Sequence, residues 1–249
     1  MQIQLIRNAT LRLTYNGHLL LIDPFLAAKH TFDPFDGKDR NPTVDLPVTP
    51  EAVIAGVEAV IVSHLHSDHF DAAAQERLPK DIPLFCQPGN DAIIAEKGFQ
   101  NIQVIADRVE WQGIHITRTA GQHGNGQLAE RMGRVSGFVF RAEGEPVVYW
   151  AGDTIWYTEV EQVINDQQPD VIITHSGGAR FGDSAPIIMD AMQTVAVCQA
   201  APEATVVAVH LEALDHCPVT RAALRSRAQN EGIADERLRI PADGQSITL

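Results

Sequence analysis

Apolar and polar residues alternate along Gln2–Arg7 and Leu11–Tyr15, and again along His18–Ile22 after an Asn16-Gly17 turn. A period of two gives a strand with one face toward a core, and Asn-Gly suits a two-residue hairpin. The chain therefore opens as a meander ending at Asp23. Pro50–Gly56 reads as a short helix. Val57–Val62 is an apolar run with one charge, as in a strand buried on both faces. Asp71–Leu78 is helical and Leu84–Cys86 a short strand. Gly98 stops a helix over Asp91–Lys97. Ile102–Ile105, Arg108–Trp111 and Ile114–Thr119 are strands, and Val135–Ala142 with Pro146–Trp150 forms a second hairpin around Glu143-Gly144. After it come helices at Glu159–Asn165, Pro186–Cys198 and Thr220–Gln229. Buried strands fall at Val171–Thr174 and Val206–Val209, and short strands at Arg237–Ile240 and Ser246–Thr248.

Hairpins come early in each half, and strand–helix units follow them. No repeat of 20–50 residues is present. This rhythm predicts a single α/β domain over residues 1–249, with two sheets packed together and helices outside. Ala27–Pro50 breaks it, with four prolines, a glycine and several aspartates. Loops of this length without structure are uncommon unless functional. With Phe32 and Phe35 as apolar contacts, 27–50 is either a flap over a site or a loop packed on the domain edge.

The strand at Val57–Val62 delivers Ser63-His64-Leu65-His66-Ser67-Asp68-His69, three imidazoles and a carboxylate within six positions. Such groups ligate zinc and similar divalent ions. His64 and His66 share one side of an extended segment, and a turn into the next helix aims Asp68 and His69 at a second point nearby. This H-x-H-x-D-H run resembles the metallo-β-lactamase superfamily. The resemblance continues along nearly the whole chain, and Asp23-Pro24-Phe25 is similar to the branch containing the ascorbate-6-phosphate lactonases.

The resemblance implies an αβ/βα sandwich of two mixed sheets, with metals at one edge between them. It implies one site of His64, His66 and His123, a second of Asp68, His69 and His210, and Asp153 bridging the two. Two cations, zinc by default with manganese or iron as alternatives, can hold one hydroxide between them for attack on a carbonyl carbon or a phosphorus. Asp68 has a second candidate task as orienter and proton acceptor, and His216 is a candidate acid. His175 and Arg180 are candidate substrate contacts. Asp23 is a candidate acceptor for a ligand histidine, or else caps the turn before Pro24. Asn8 stands where several relatives of the lactonase branch carry His, which argues against transferring their phosphorylated lactone substrate. The expected function is a metal-dependent hydrolase of a small ester, lactone or phosphodiester. The rivals are a non-haem iron oxidoreductase on the same scaffold and a metal-binding protein without catalysis.

Composition narrows the partners. The 249 residues carry a formal net charge of −13 and are 45% apolar, an ordinary globular mixture that repels a phosphate backbone. A small-molecule substrate is expected and a nucleic acid is not, while a homo-oligomer stays open. No run approaches the roughly 18 apolar residues of a membrane helix, and the polar N-terminus lacks a signal-peptide pattern. A cytoplasmic, membrane-free protein is therefore expected. Three cysteines cannot all pair, and none forms a C-x-x-C motif.

Overall fold

The computed structural model describes residues 1–249. Its strands are β1 (Gln2–Arg7), β2 (Thr10–Tyr15), β3 (His18–Ile22), β4 (Ala59–Val62), β5 (Leu84–Cys86), β6 (Ile102–Val104), β7 (Arg108–Trp111), β8 (Ile114–Gly121), β9 (Val135–Arg141), β10 (Val148–Trp150), β11 (Val171–His175), β12 (Thr205–Val209), β13 (Leu238–Arg239) and β14 (Ser246–Thr248). They form two seven-stranded sheets, ordered β14-β1-β2-β3-β4-β5-β6 and β13-β12-β11-β10-β9-β8-β7. Each is antiparallel where hairpins join its strands. Each turns parallel from β3 to β6 and from β10 to β13, where helices supply the crossovers. These are the two mixed sheets of the expected sandwich.

The helices are α1 (Pro50–Ile54), α2 (Ala72–Arg77), α3 (Asp91–Glu96), α4 (Gln127–Met132), α5 (Thr158–Gln167), α6 (Ala191–Ala200) and α7 (Arg221–Asn230). Side-chain caps start several of them: Asp71 accepts from Ala74 N, Asp190 from Gln193 N and Thr220 from Ala223 N. The inner core lies between the sheets, a cluster of 21 buried residues that includes Leu13, Ile61, Phe138, Trp150 and Ile173. Two further clusters fill the spaces under the helices. No helix is long and apolar enough to cross a membrane.

Two expectations need correction. The helix expected from Pro186 starts only at Ala191, because Pro186–Met189 uses its backbone elsewhere. Ile187 N donates to Ala179 O, Met189 N to Thr154 O, and Met189 O accepts from Gly178 N. Helix α4 was not anticipated, since Gly126 and Gly133 bracket too short a stretch to show a helical period.

Candidate metal centre

The expected ligands come from the C-terminal ends of strands in both sheets, the edge where open α/β sheets place their sites. His64, His66, Asp68 and His69 follow β4, His123 follows β8, Asp153 follows β10 and His210 follows β12. After His66 the chain turns, with His69 N and Phe70 N both donating to His66 O. His64, Asp68, His69, His123, Asp153 and His210 are buried, and His66 is partly exposed.

His64 Nε2 lies 3.0 Å from His66 Nδ1 and 3.7 Å from Asp153 Oδ2, and His123 Nε2 lies 3.4 Å from the same oxygen. On the other side, His69 Nε2 is 3.2 Å from Asp153 Oδ2 and 3.4 Å from Asp68 Oδ2. His210 Nε2 is 3.2 Å from Asp68 Oδ2 and 3.8 Å from Asp153 Oδ1. Donors bound about 2.0–2.1 Å from one tetrahedral ion stand about 3.4 Å apart, so these spacings suit metal ligation, and Asp153 belongs to both the His64, His66, His123 group and the His69, His175, His210 group. Moreover, His69 Nε2 is fully buried and makes no hydrogen bond within the protein. The donor set therefore fits divalent metal.

The other ring nitrogens are held. His69 Nδ1 sits 2.7 Å from Asp23 Oδ2. A carboxylate only accepts, so Nδ1 carries a proton and Nε2 is the nitrogen left for a metal, which would displace the second proton that the surrounding carboxylates favour. Ser63 Oγ donates to Asp23 Oδ2 at 2.7 Å and can then accept from His64 Nδ1 at 2.9 Å, while Ser63 N donates to Asp23 Oδ1 at 2.8 Å. One buried aspartate thus sets two imidazole tautomers, one directly and one through a serine. His123 Nδ1 faces Ile187 O at 2.8 Å, and Cys217 Sγ lies 3.8 Å from His210 Nδ1. Asn8 Nδ2 donates to Asp68 O at 3.1 Å and to Asp68 Oδ2 at 3.3 Å, and Asn8 O accepts from His210 N. Asn8, Asp23 and His210 all adopt positive φ (57°, 46° and 61°), a costly backbone for non-glycine residues that gathers where side chains must be aimed.

Electrostatics agrees with a site built for cations. Burial alone would raise the Asp153 and Asp68 carboxyls, but His69 foremost, with other histidines, outweighs it and holds both well below the usual range. Burial would lower His69, yet Asp153, Asp68 and Asp23 push it well above its ordinary value. Buried His64 and His123 are both lowered, so they stay neutral. The carboxylates thus hold positive charge at the point where His69 Nε2 finds no hydrogen bond.

A cavity of about 230 Å³ opens over this cluster. Its apolar wall is Phe35, Met132, Ala179, Phe181 and Ile187, and its polar floor includes His66, Asp68, His123, Asp153 and His210. His216 reaches it too, edge-on to Phe35 at 5.3 Å and stacked with Phe181 at 5.8 Å. His216 Nδ1 is buried without a hydrogen-bond partner, and burial lowers its pKa. No lysine or arginine lines the cavity.

Two candidate substrate contacts, His175 and Arg180, lie off the cavity lining. His175 is fully buried outside the cavity wall, and its Nδ1 donates to Asp153 Oδ1 at 2.6 Å. It orients a candidate ligand, and burial lowers its pKa to about 4. Arg180 is not part of the cavity lining, and its Nε donates to Gly178 O, while its neighbours Ala179 and Phe181 are on the wall. Sequence reasoning gave no role to Ser63 or to the aliphatic side of the cavity. Ser63, at the end of β4 and beside His64, carried a usable signal; Met132 and Ile187 did not.

A family model described as beta-lactamase superfamily domain matches residues 18–211. The UPF0173 protein YddR of Bacillus subtilis is 39% identical over the full length of both chains. The chain belongs to the UPF0173 family of the β-lactamase superfamily. Wider UPF0173 relatives bear the name metal-dependent hydrolase. Two solved structures similar to this UPF0173 member cover 100% of its chain and 99% of their own. One, a possible metal-dependent hydrolase from Veillonella parvula, has a TM-score of 0.96 at 36% identity. The other is an isothiocyanate hydrolase from Delia radicum gut bacteria, with a TM-score of 0.94 at 40% identity.

Proposed function

We propose that this UPF0173 protein is a dinuclear hydrolase, zinc- or manganese-dependent, acting on a small uncharged carbon electrophile, with an isothiocyanate as the leading substrate class. The carrying observation is the cavity wall, which is apolar and free of lysine and arginine. A phosphorylated lactone carries its charge away from the reacting carbon, where no lysine or arginine lines the cavity to meet it, and a phosphodiester would depend on the ions alone. An isothiocyanate brings no charge, and the 40% identical isothiocyanate hydrolase supports this choice. A neutral ester or lactone fits the same wall and is the second reading.

His64, His66 and His123 would hold one ion, Asp68, His69 and His210 the other, and Asp153 both. When bound, the ions supply Lewis acidity and lower the pKa of water toward neutrality. The chain's own groups do the rest. Ionised Asp68, braced by Asn8, accepts a hydrogen bond from the attacking water and orients it, while its low pKa leaves the proton to pass to His216. The water oxygen bonds to the central carbon of R–N=C=S, the nitrogen gains a proton, and the resulting thiocarbamic acid splits to amine and carbonyl sulfide. His216 enters neutral, so it relays a proton to nitrogen instead of storing one. Phe35, Phe181 and Ile187 exclude bulk water from the reacting carbon.

The test is metal-loaded protein against an alkyl isothiocyanate, an aryl isothiocyanate, an aryl ester, a γ-lactone and an aryl phosphodiester, followed by amine, acid or phenol release. Amine release is expected to give the highest kcat/KM. Phosphodiester turnover without turnover of any neutral carbon substrate would overturn the reading.

A further inference from the structure

Residues 28–49 contain almost no regular structure, yet they are tied at their ends and at their tip. Fully buried Arg7 donates from Nη2 to Phe25 O at 3.1 Å and Ala27 O at 2.8 Å, and from Nη1 to Val44 O at 3.1 Å. One guanidinium thus clamps both ends. The tip is held by one carboxylate. Asp215 Oδ1 accepts from Phe35 N at 3.2 Å and Asn41 Nδ2 at 2.7 Å, and Oδ2 from Gly37 N at 2.6 Å. Asp215 N donates in return to Asn41 Oδ1 at 2.8 Å. The Asp215 side chain is only 1% exposed, so its charge depends on these donors.

We infer that Asp215 is a positioning residue that fixes Phe35 and the adjacent His216 as a rigid aromatic wall, and so limits the side chain a substrate can carry. Its consequence for substrates rests on the hydrolase reading; its structural half rests on the hydrogen bonds alone. The physical reason is the cost of opening. Swinging 28–49 away would give up to water three hydrogen bonds to a carboxylate together with the apolar packing of Phe32 and Phe35. The segment is accordingly a fixed wall and not a swinging lid. The wall acts where the apolar part of a substrate must lie, since the opposite side of the cavity is the ligand cluster.

Two variants attack this latch from opposite sides. Asp215→Asn keeps the volume but leaves one acceptor oxygen for three donors, so its amide must face a donor. Gly37→Ala places a Cβ 2.6 Å from Asp215 Oδ2. Amide hydrogen exchange at Phe35 and Gly37, metal content, and kcat and KM for methyl and branched isothiocyanates are measured on the metal-loaded protein. Exchange is expected to quicken about tenfold in each variant, and the double variant should be no faster than the quicker single one. Metal content should hold, selectivity between the two substrates should shift about tenfold through KM, and kcat should change in the same proportion for both through the adjacent His216. Exchange within about twofold of the parent in Asp215→Asn would overturn the inference, as would kcat lost alike for both substrates together with metal. If the parent hydrolyses no isothiocyanate, ester or lactone, the functional reading falls and the exchange measurement alone decides the latch.

Discussion

Asp23→Asn is the most informative single substitution at the metal centre. Asp23 is fully buried and accepts three hydrogen bonds, from Ser63 N, Ser63 Oγ and His69 Nδ1, all at 2.7–2.8 Å. The amide has the same shape but only one acceptor oxygen. If that oxygen stays with Ser63 N, Nδ2 meets His69 Nδ1–H donor to donor. His69 must then move its proton to Nε2, the atom that would ligate. Ser63 Oγ also loses its acceptor, which releases the tautomer of His64. Altering the partner of a ligating histidine typically costs about 10–100-fold in metal affinity. Two histidines are affected, so the upper end of that range is expected, read by competition against a calibrated chelator. In the metal-free protein one buried donor is left opposed, at about 1–3 kcal/mol, which lowers Tm by roughly 2–12 °C for a domain of this size. The reasoning fails if Asp23→Asn binds metal within about twofold of the parent, because the tautomers would then be set by something else.

His210→Ala should lower metal content, whereas His216→Ala should keep it and alter turnover or its pH profile; the reverse pattern in elemental analysis would exchange their roles. Saturation with zinc or manganese should give two ions per chain by elemental analysis, and one ion would remove the shared role assigned to Asp153. Tyr15, whose hydroxyl donates to Pro146 O at 2.8 Å, has its pKa pushed up to about 12 by burial. Its contribution to stability is therefore present below the ordinary tyrosine value of about 10 and is lost as pH rises toward 12. Denaturant titrations should show that loss above about pH 10 in the parent and less of it in Tyr15→Phe, and equal losses would assign the effect to other groups.

Strands were legible because their periods are short and their ends carry distinctive residues. The Asn16-Gly17 turn, the run at β4 and the glycine-flanked Asp153 each mark a strand end in a few letters. The candidate ligands were legible for the same reason, helped by a family resemblance. The Phe35 wall was only half legible. Prolines marked 27–50 as unusual, but the carboxylate that fixes its tip lies about 180 positions away, and no local pattern announces such a bond. Net charge was legible and bore on nucleic acid but not on the small substrate. At −13 the chain is acidic, yet what bears on the substrate is that no cation lines one cavity.

The position of His175 shows what strand alternation offers. Val171 and Ile173 belong to the core between the sheets, whereas Ile172 packs under the helices. His175 continues the inward set at the last position of β11, so the pleat carries it between the sheets toward Asp153. Ser63 continues the inward set of Ala59 and Ile61 just past β4, and it meets Asp23 and His64. His64 and His210 stand beyond these strand ends, at positions where a core-facing period no longer constrains them. A division of labour follows. At β11 and β4 the last inward position holds a buried polar group that braces a neighbouring candidate ligand, whereas β10 and β12 end theirs on Trp150 and Val209. The next positions are free of the pleat and can turn the ligand atom outward. His175 closes the inward set 171, 173, 175, and its bond to Asp153 makes it a brace.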